Sequence, residues 1–253
     1  MPEQKPAHGP EDEQAFLARY DASRFPRPSV AVDLTLMTVD DGRLHALLVR
    51  RDEHPAKGRY ALPGGFVGLD ESLGEAAERV LRTKAALTDV FIEQLYTFGD
   101  PARDPRTRVI SVAYYALVDR ARLEGARKAD GTTWLAPLDV PWSGLEGGEV
   151  AALAEDGTPL DLPFDHARIL GVTVQRLRGK LDYAPIGFEL LPEQFTLRQL
   201  QQVHESVMGR AVNKDSFRRR MLATGHIEPT GERERSVLHR PAALFRFSGT
   251  ARH

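Results

Sequence analysis

The chain has 253 residues, 42% of them hydrophobic and 28% charged, and a net charge of −2. This is the balance of a globular protein long enough for one large or two small domains. The absence of cysteine excludes disulfides and thiolate chemistry. The apolar runs are shorter than the roughly 18 residues of a membrane helix. The polar N-terminus does not resemble a secretory signal, so we expect a cytoplasmic protein without a membrane partner.

The first two thirds of the chain are predicted to be rich in strands. Residues 1–14 carry too little apolar content to order themselves, and we expect a flexible tail. Alternating apolar residues at 30–36, a turn at 40–42 and an apolar run at 47–51 predict strand, turn, strand. The elements expected next are a Gly/Pro-bounded segment at 62–67, a helix from Ser72 to about Lys84, and strands at 93–98 and 110–118.

Composition changes again after these strands. Residues 137–163 are rich in Gly, Pro and acidic residues and are predicted to be a loop, whereas 165–183 has a helical apolar pattern. Strands arranged in runs around one helix indicate an α+β sandwich. We therefore divide the chain into a sandwich domain at 15–184 and a second domain at 185–253.

The second domain has the element order of a winged helix-turn-helix. Thr196 and Gln199 have capping-box spacing, so a helix is expected from there to Met208, ending at Gly209. A second helix is predicted over 213–223, followed by strands at 227–230 and 242–247 whose connection begins with the polar loop 231–236. From Leu191 onward there are 11 Lys or Arg and 6 Asp or Glu. This basic excess is typical of a domain that binds a polyanion.

The second of these helices is the candidate recognition helix. At about 100° per residue, Phe217, Met221 and Leu222 lie on one side and Ser216, Arg219 and Arg220 on the other. Arg218 falls inside the apolar arc and must extend sideways to reach solvent. Ser216 and Arg219 are the predicted base readers; the predicted phosphate contacts are Arg198, Lys214, Arg218, Arg220, Arg233 and Arg235. The alternative is a solvated basic face, but the element order and the wing arginines favour double-stranded DNA.

The segment 65–87 matches part of the Nudix hydrolase pattern. Gly65, Glu71 and Arg79 are in place, but the three following glutamates of the pattern are Val80, Thr83 and Lys84, and the late glycine is Ala86. These positions share one face of a helix and would hold the divalent metal. Mg²⁺ needs carboxylate oxygens, and without a metal there is no activated water. We therefore expect no catalytic residues, no metal site, no required cofactor and little or no hydrolysis.

Lys84 suggests a specific replacement for the metal. Its ammonium could contact a diphosphate directly. The alternative is an ordinary exposed helix lysine.

The sequence resembles the Nudix-related transcriptional regulators of NAD metabolism (NrtR). The resemblance extends from about Tyr20 to Phe247 and rests on residues 25–30, 61–67, 94–101, 103–106, 109–114, 185–192, 217–219 and 240–242. It implies an N-terminal Nudix-fold α/β/α sandwich followed by a winged helix. It also implies a homodimeric repressor of NAD metabolism genes that binds operator DNA and responds to ADP-ribose or a related nucleotide.

The resemblance also carries over candidate ligand positions. They are Arg51, Gly65, Asp100, Arg106 and Tyr114, to which Lys84 is added from the reasoning above. The two arginines suit phosphate. Tyr114 suits stacking on a base or ribose, or else a place in the core of a strand.

Three other functions stay open at this point. One is an active Nudix hydrolase of ADP-ribose-type nucleoside diphosphates. Another is a sugar-responsive regulator, since the family includes regulators of sugar use. The third is a Nudix-fold protein that binds RNA or a protein partner.

Overall fold

The computed structural model describes residues 13–126, 131–181, 185–235 and 241–249. The helices in these ranges are α1 (Glu13–Arg19), α2 (Leu73–Ala85), α3 (Arg120–Ala126), α4 (His166–Leu181), α5 (Leu197–Met208) and α6 (Lys214–Ala223), with 3₁₀ helices at Ala22–Arg24 and Pro185–Leu190. The strands are β1 (Ser29–Asp40), β2 (Arg43–Arg50), β3 (Tyr60–Ala61), β4 (Gly64–Phe66), β5 (Glu93–Phe98), β6 (Val109–Leu117), β7 (Thr133–Asp139), β8 (Ala151–Ala152), β9 (Phe195–Thr196), β10 (Ile227–Arg233) and β11 (Ala243–Phe247). None of the described helices has the length and apolarity needed to cross a bilayer.

The sandwich domain is built on one mixed sheet with the strand order β5-β6-β1-β2-β7-β8, to which β3 and β4 add at β2 and β1. Strand β1 runs parallel to β6, so that Val32 faces Val112, and antiparallel to β2. One face of the sheet packs on α2 and α3 through buried residues such as Leu34, Val80 and Leu123. The other face packs on α4 through residues such as Leu48 and Leu177. The expected α/β/α sandwich is confirmed.

Both ends of helix α2 are defined by local interactions: a capping box at its start and a left-handed residue after its last turn. Ser72 caps the backbone of Glu75, whose side chain returns to the Ser72 amide, and this capping box fixes the start. The helix ends at Ala86, which adopts a left-handed backbone (φ 53°). Its structure agrees with the helix predicted from Ser72 to about Lys84.

The second domain has the expected winged-helix order. Thr196 and Gln199 form the predicted capping box of α5, and Gly209 ends the helix in a left-handed conformation (φ 68°). Strands β10, β11 and β9 form a three-stranded sheet. The buried core consists of Phe195, Leu200, Phe217, Met221, Ile227 and Phe245.

Two details of this domain differ from the sequence predictions. Strand β10 continues to Arg233, so 231–233 are paired strand rather than loop, because the hydrogen-bonded ladder resumes between Arg233 and Ala243 after an irregularity. Ser236 lies outside the described residues. Leu222, expected on the apolar side of α6, is 44% exposed, since Phe217 and Met221 alone fill the helix's contact with α5 and the sheet.

Sequence patterns also missed elements of the sandwich. Glu13 and Gln14, placed in the tail, belong to α1, which buries no residue; residues 1–12 lie outside the described ranges. Helix α3 and strand β7 were not predicted, and the segment predicted to be loop at 137–163 begins inside β7 and contains the short strand β8. Strand β7 is fixed by its pairing with β2, for example of Ala136 with Ala46. These residues are distant in sequence, so local patterns do not predict the pairing.

Candidate functional site

A cleft of about 420 Å³ opens where the ends of several elements of the sandwich meet. Strand β1 supplies Asp33, α2 supplies Lys84 and α4 supplies His166. Four predicted ligand residues line this cleft, namely Arg51, Gly65, Lys84 and Arg106. The structure thus brings together residues that are up to 55 positions apart in sequence, as the positions of Arg51 and Arg106 show.

Aromatic rings and guanidinium groups alternate along one side of the cleft. The Arg51 guanidinium carbon lies 5.1 Å from the centroid of the Phe164 ring. The Arg106 guanidinium lies 5.9 Å from the same ring and 5.2 Å from the Phe66 ring. Rings and guanidinium planes both offer flat surfaces for stacking, and guanidinium groups also bind phosphate. We refer to Arg51, Phe66, Arg106 and Phe164 as the stacked wall.

The two arginines of the stacked wall are held by different partners. Arg106 donates two hydrogen bonds to the Asp104 carboxylate, at 2.7 and 3.0 Å, and this pairing raises the pKa of Arg106. Arg51 donates from Nε to the Pro55 carbonyl, at 2.8 Å. Both guanidinium groups are thereby oriented before any ligand enters, which lowers the entropic cost of binding one.

A buried polar network forms the floor of the cleft around Asp33. Its carboxylate accepts from Ser111 Oγ at 2.5 Å and from Arg103 at 3.2 Å, and His166 Nε2 lies 3.6 Å away. The Leu62 amide donates to His166 Nδ1 at 3.1 Å, which places the ring proton on Nε2, facing Asp33. Burial by itself raises the pKa of Asp33, but the nearby His166 ring, the hydrogen bond from Ser111 and the charge of Arg103 lower it to about 2. The carboxylate is therefore ionised and already occupied by protein donors.

Gly64 explains how strand β4 passes so close to this carboxylate. A Cβ atom at position 64 would lie 2.3 Å from Asp33 Oδ1 and 2.9 Å from the Val32 carbonyl oxygen. Only glycine allows this approach.

The Nudix-box residues occupy two different settings. Glu71 accepts from Arg79 Nε at 2.9 Å and Nη2 at 2.5 Å and from the Gly68 amide at 2.7 Å; these bonds lower its pKa to about 2. Val80 is 1% exposed and packs in the core, Thr83 donates to the Arg79 carbonyl at 2.7 Å, and Lys84 is exposed at the cleft. Within the described part of the chain, no cluster of three acidic or histidine side chains is placed to hold a metal.

Two predicted ligand residues do not line the cleft. Asp100 accepts from the Ala102 amide at 2.8 Å and borders a neighbouring depression that it shares with Arg168. Tyr114 is 8% exposed in β6, in the core beneath α2, where burial raises its pKa. Side chains alternate along a strand, and residues 112, 114 and 116 all point to the α2 face.

Sequence reasoning missed Phe164 and His166 as cleft residues. Both follow a Gly/Pro-rich segment and carry no motif spacing; only the chain's return to the sheet places them beside Arg51. Phe164 has a left-handed backbone (φ 59°), which is uncommon for an aromatic residue.

The winged helix presents the predicted DNA-binding residues at its surface. All eight are exposed: Arg198, Lys214, Ser216, Arg218, Arg219, Arg220, Arg233 and Arg235. Arg218 reaches solvent as expected. The Arg220 guanidinium lies 5.7 Å from the Phe217 ring centroid, and Arg233 donates to the Pro241 carbonyl at 3.0 Å across the wing.

Comparisons with known proteins agree with both halves of this architecture. A NUDIX domain model matches residues 27–151, and a model of the NrtR DNA-binding winged helix domain matches residues 187–247. The ADPR responsive transcriptional repressor NtrR of Acinetobacter baylyi is 35% identical over 93% of this chain and 88% of its own length.

Two further proteins are similar to this chain. The crystal structure of Shewanella oneidensis NrtR complexed with a 27mer DNA superposes with a TM-score of 0.72 at 33% identity, covering 87% of this chain and 93% of that one. An ADP-ribose pyrophosphatase of Methanocaldococcus jannaschii is 32% identical over 56% of this chain and 71% of its own length. The coverage of the Acinetobacter repressor over nearly the whole length, with both domain models in the expected order, shows that this chain belongs to the NrtR family of transcriptional repressors.

Proposed function

We propose that this protein is a cytoplasmic repressor of NAD metabolism genes whose DNA affinity is controlled by ADP-ribose or a related nucleotide. The carrying observation is a nucleotide-sized cleft, lined by arginines and aromatic rings, in a chain that also presents a basic recognition helix. The division into a Nudix-like domain at 15–184 and a winged-helix domain at 185–253 belongs to this proposal.

The cleft offers chemistry for each part of such a ligand. The flat faces of the stacked wall suit a purine base. Arg51 and Lys84 supply positive charge for a diphosphate, and Lys84 is exposed at the cleft. Phosphate held by Arg and Lys needs no metal bridge. Asp100 and Tyr114 do not line the cleft, so we assign neither of them a contact with the nucleotide.

Hydrolysis is not part of the proposal. Attack on a diphosphate needs a metal-activated water, and the box positions that would supply carboxylates hold Val80, Thr83 and Lys84. The Asp33 carboxylate is engaged by Ser111 and Arg103, and the Glu71 carboxylate by Arg79 and Gly68. Binding without turnover is what a sensor requires.

The recognition helix would enter the major groove with Ser216 and Arg219 toward base edges. The proposed phosphate contacts are Arg198, Lys214, Arg218, Arg220, Arg233 and Arg235. A homodimer would place two such helices on two half-sites about one helical turn apart.

The test is fluorescence anisotropy on the promoter next to the protein's own gene, at fixed salt, with and without ADP-ribose. Salt is held constant because phosphate contacts make affinity steeply salt-dependent. We expect selective binding that ADP-ribose changes by at least fivefold. Arg219→Ala should cost about 1–3 kcal/mol and relax base preference, whereas Arg235→Ala should weaken all sequences alike.

The alternatives give different results in the same framework. Magnesium-dependent release of AMP from ADP-ribose would establish the hydrolase. Response to a phosphorylated sugar but not to ADP-ribose would establish the sugar-responsive regulator. Preference for RNA over every duplex would establish the RNA-binding alternative.

A further inference from the structure

Helix α5 belongs to the hydrophobic cores of both domains. Val203 and Val207, one helical turn apart, are 3% and 1% exposed and pack with Leu177 of α4 in the core of the sandwich. Leu200 is fully buried in the winged-helix core with Phe217 of α6. A shift of α5 relative to α4 therefore changes the position of the recognition helix.

Arg178 of α4 joins the two helices through a buried polar contact. It is 4% exposed, and its Nε donates to the carbonyl of Val207 in the last turn of α5, at 2.8 Å. Its Nη1 donates to the carbonyls of Trp142 and Gly144, each at 3.1 Å, and its guanidinium lies 4.6 Å from the Trp142 ring centroid. The end of α5 is shaped around it, since a Cβ at Gly209 would lie 2.9 Å from Arg178 Nη2.

This guanidinium is held by carbonyls rather than by a carboxylate within the described ranges, and burial lowers its pKa. A buried charge without an opposite charge is costly. The negative end of the α5 dipole offsets part of that cost. An apolar side chain would fill the site with less penalty, so packing alone does not account for an arginine here. A directional contact instead selects one placement of α5.

The other end of α4 lies in the cleft. Asp165, just before the helix, accepts from Arg103 at 2.7 and 3.0 Å, and His166 lies beside Asp33. Phe164, with its left-handed backbone, precedes them in the stacked wall. His166 and Arg178 are twelve positions apart, a helix length of about 18 Å.

We propose that Arg178 is the positioning residue through which occupancy of the cleft controls the placement of α5 and the recognition helix. This rests on the function proposed above. A nucleotide that stacks against Phe164 displaces the start of α4. The helix transmits the displacement as a rigid element, and Arg178 shifts the end of α5.

The test measures coupling rather than activity. For the full-length protein and its variants, the Kd for operator duplex is measured with and without saturating ADP-ribose, and the Kd for ADP-ribose with and without duplex. The ratio in each direction is the same coupling factor. The variants are Arg178→Met and Arg178→Lys; the control is Arg176→Met on the same helix, which loses contacts with the Leu95 carbonyl and Glu93 inside the sandwich.

We expect Arg178→Met to keep its affinity for ADP-ribose within about twofold in the absence of DNA while its coupling factor falls at least fivefold toward one. Arg178→Lys should fall between Met and wild type, and Arg176→Met should keep the wild-type factor. A residue that only stabilises the fold would lower the melting temperature and leave the factor unchanged. If Arg178→Met does not fold, Arg178→Lys decides the matter.

The two proposals fail differently. Wild-type protein that binds no operator, or whose DNA affinity ignores every nucleotide, contradicts the proposed function. Wild-type coupling that survives intact in the folded Arg178 variants, or that is lost equally in Arg176→Met, overturns the role of Arg178 alone.

Discussion

The two halves of the Nudix-box segment differ in what their side chains contact. In the first half, Glu71 and Arg79 remain paired, and Arg79 also donates to the Phe66 carbonyl at 2.9 Å. These contacts hold the loop that carries Phe66 into the cleft. In the second half, Val80 is buried in the core and Lys84 faces the cleft.

Within this one motif, the residues that hold a loop are distinct from the positions at which the Nudix pattern places metal-binding glutamates. Glu71 and Arg79 match the Nudix pattern and hold the loop that carries Phe66 of the stacked wall. At the positions where the Nudix pattern has glutamates, Val80 lies in the core, Thr83 on the helix surface and Lys84 at the cleft. The motif can therefore be recognised from the residues that hold its loop, although positions 80, 83 and 84 carry no carboxylate.

The largest predicted effect comes from placing a glutamate at position 80, where the side chain is buried. Val80→Glu would bury a carboxylate among Ala76, Ala77 and Leu81. We expect a loss of roughly 3–5 kcal/mol in the free energy of unfolding, the cost of an uncompensated buried charge. Urea denaturation measures it.

Thr83→Glu is the matched control, since position 83 is exposed and a surface change should stay within about 0.5 kcal/mol. A Val80→Glu protein as stable as wild type, with a melting temperature that rises with Mg²⁺, would show that this half of the box still forms a metal site.

The next effect concerns the charge that Lys84 brings to the cleft. Lys84→Glu should weaken ADP-ribose binding in metal-free buffer at least tenfold, because a charged hydrogen bond contributes about 1.5–3 kcal/mol and the new carboxylate repels the diphosphate. Isothermal titration calorimetry with chelator present measures the Kd.

Arg82→Glu makes the same charge change on the same helix at an exposed position that does not line the cleft. It should alter the Kd less than threefold. Equal losses in both variants would mean a general field effect, and no loss in Lys84→Glu would identify Lys84 as an ordinary surface lysine.

Elements with local signals could be predicted from the sequence. Ser72 and Thr196 begin helices through their own hydroxyl groups, and Gly209 ends α5 through its backbone freedom, so α2 and α5 were placed to within a residue or two. The winged-helix order followed from the same signals.

Features fixed by distant contacts could not be predicted this way. Strand β7 exists because β2 pairs with it, and Leu222 is exposed because two other side chains already fill the contact of α6. In the cleft, Arg51 and Arg106 were predicted from the resemblance to the family. Phe164 and His166 were not predicted, because only the folding of the chain brings them to the cleft. Tyr114 was predicted either to contact the ligand or to lie in the core, and the alternation of side chains along β6 places it in the core.

The smallest effect tests the first half of the box and depends on pH. The folded-state pKa of Glu71 is about 2, below its usual value of 4.5, so the ionised form is the one the folded protein favours. Its stabilisation is therefore complete above pH 4.5 and is lost as the pH falls through about 2. Glu71→Gln should lower the melting temperature at pH 7, and the difference from wild type should shrink progressively between pH 4.5 and 2.

The acidic network at Asp33 is present in both proteins and cancels in that difference. Glu78→Gln removes one carboxylate at an exposed position of α2 and is the matched control for the change in charge. A Glu71→Gln deficit that persists unchanged at pH 2 would mean that the loop is held by shape and not by the ion pair with Arg79.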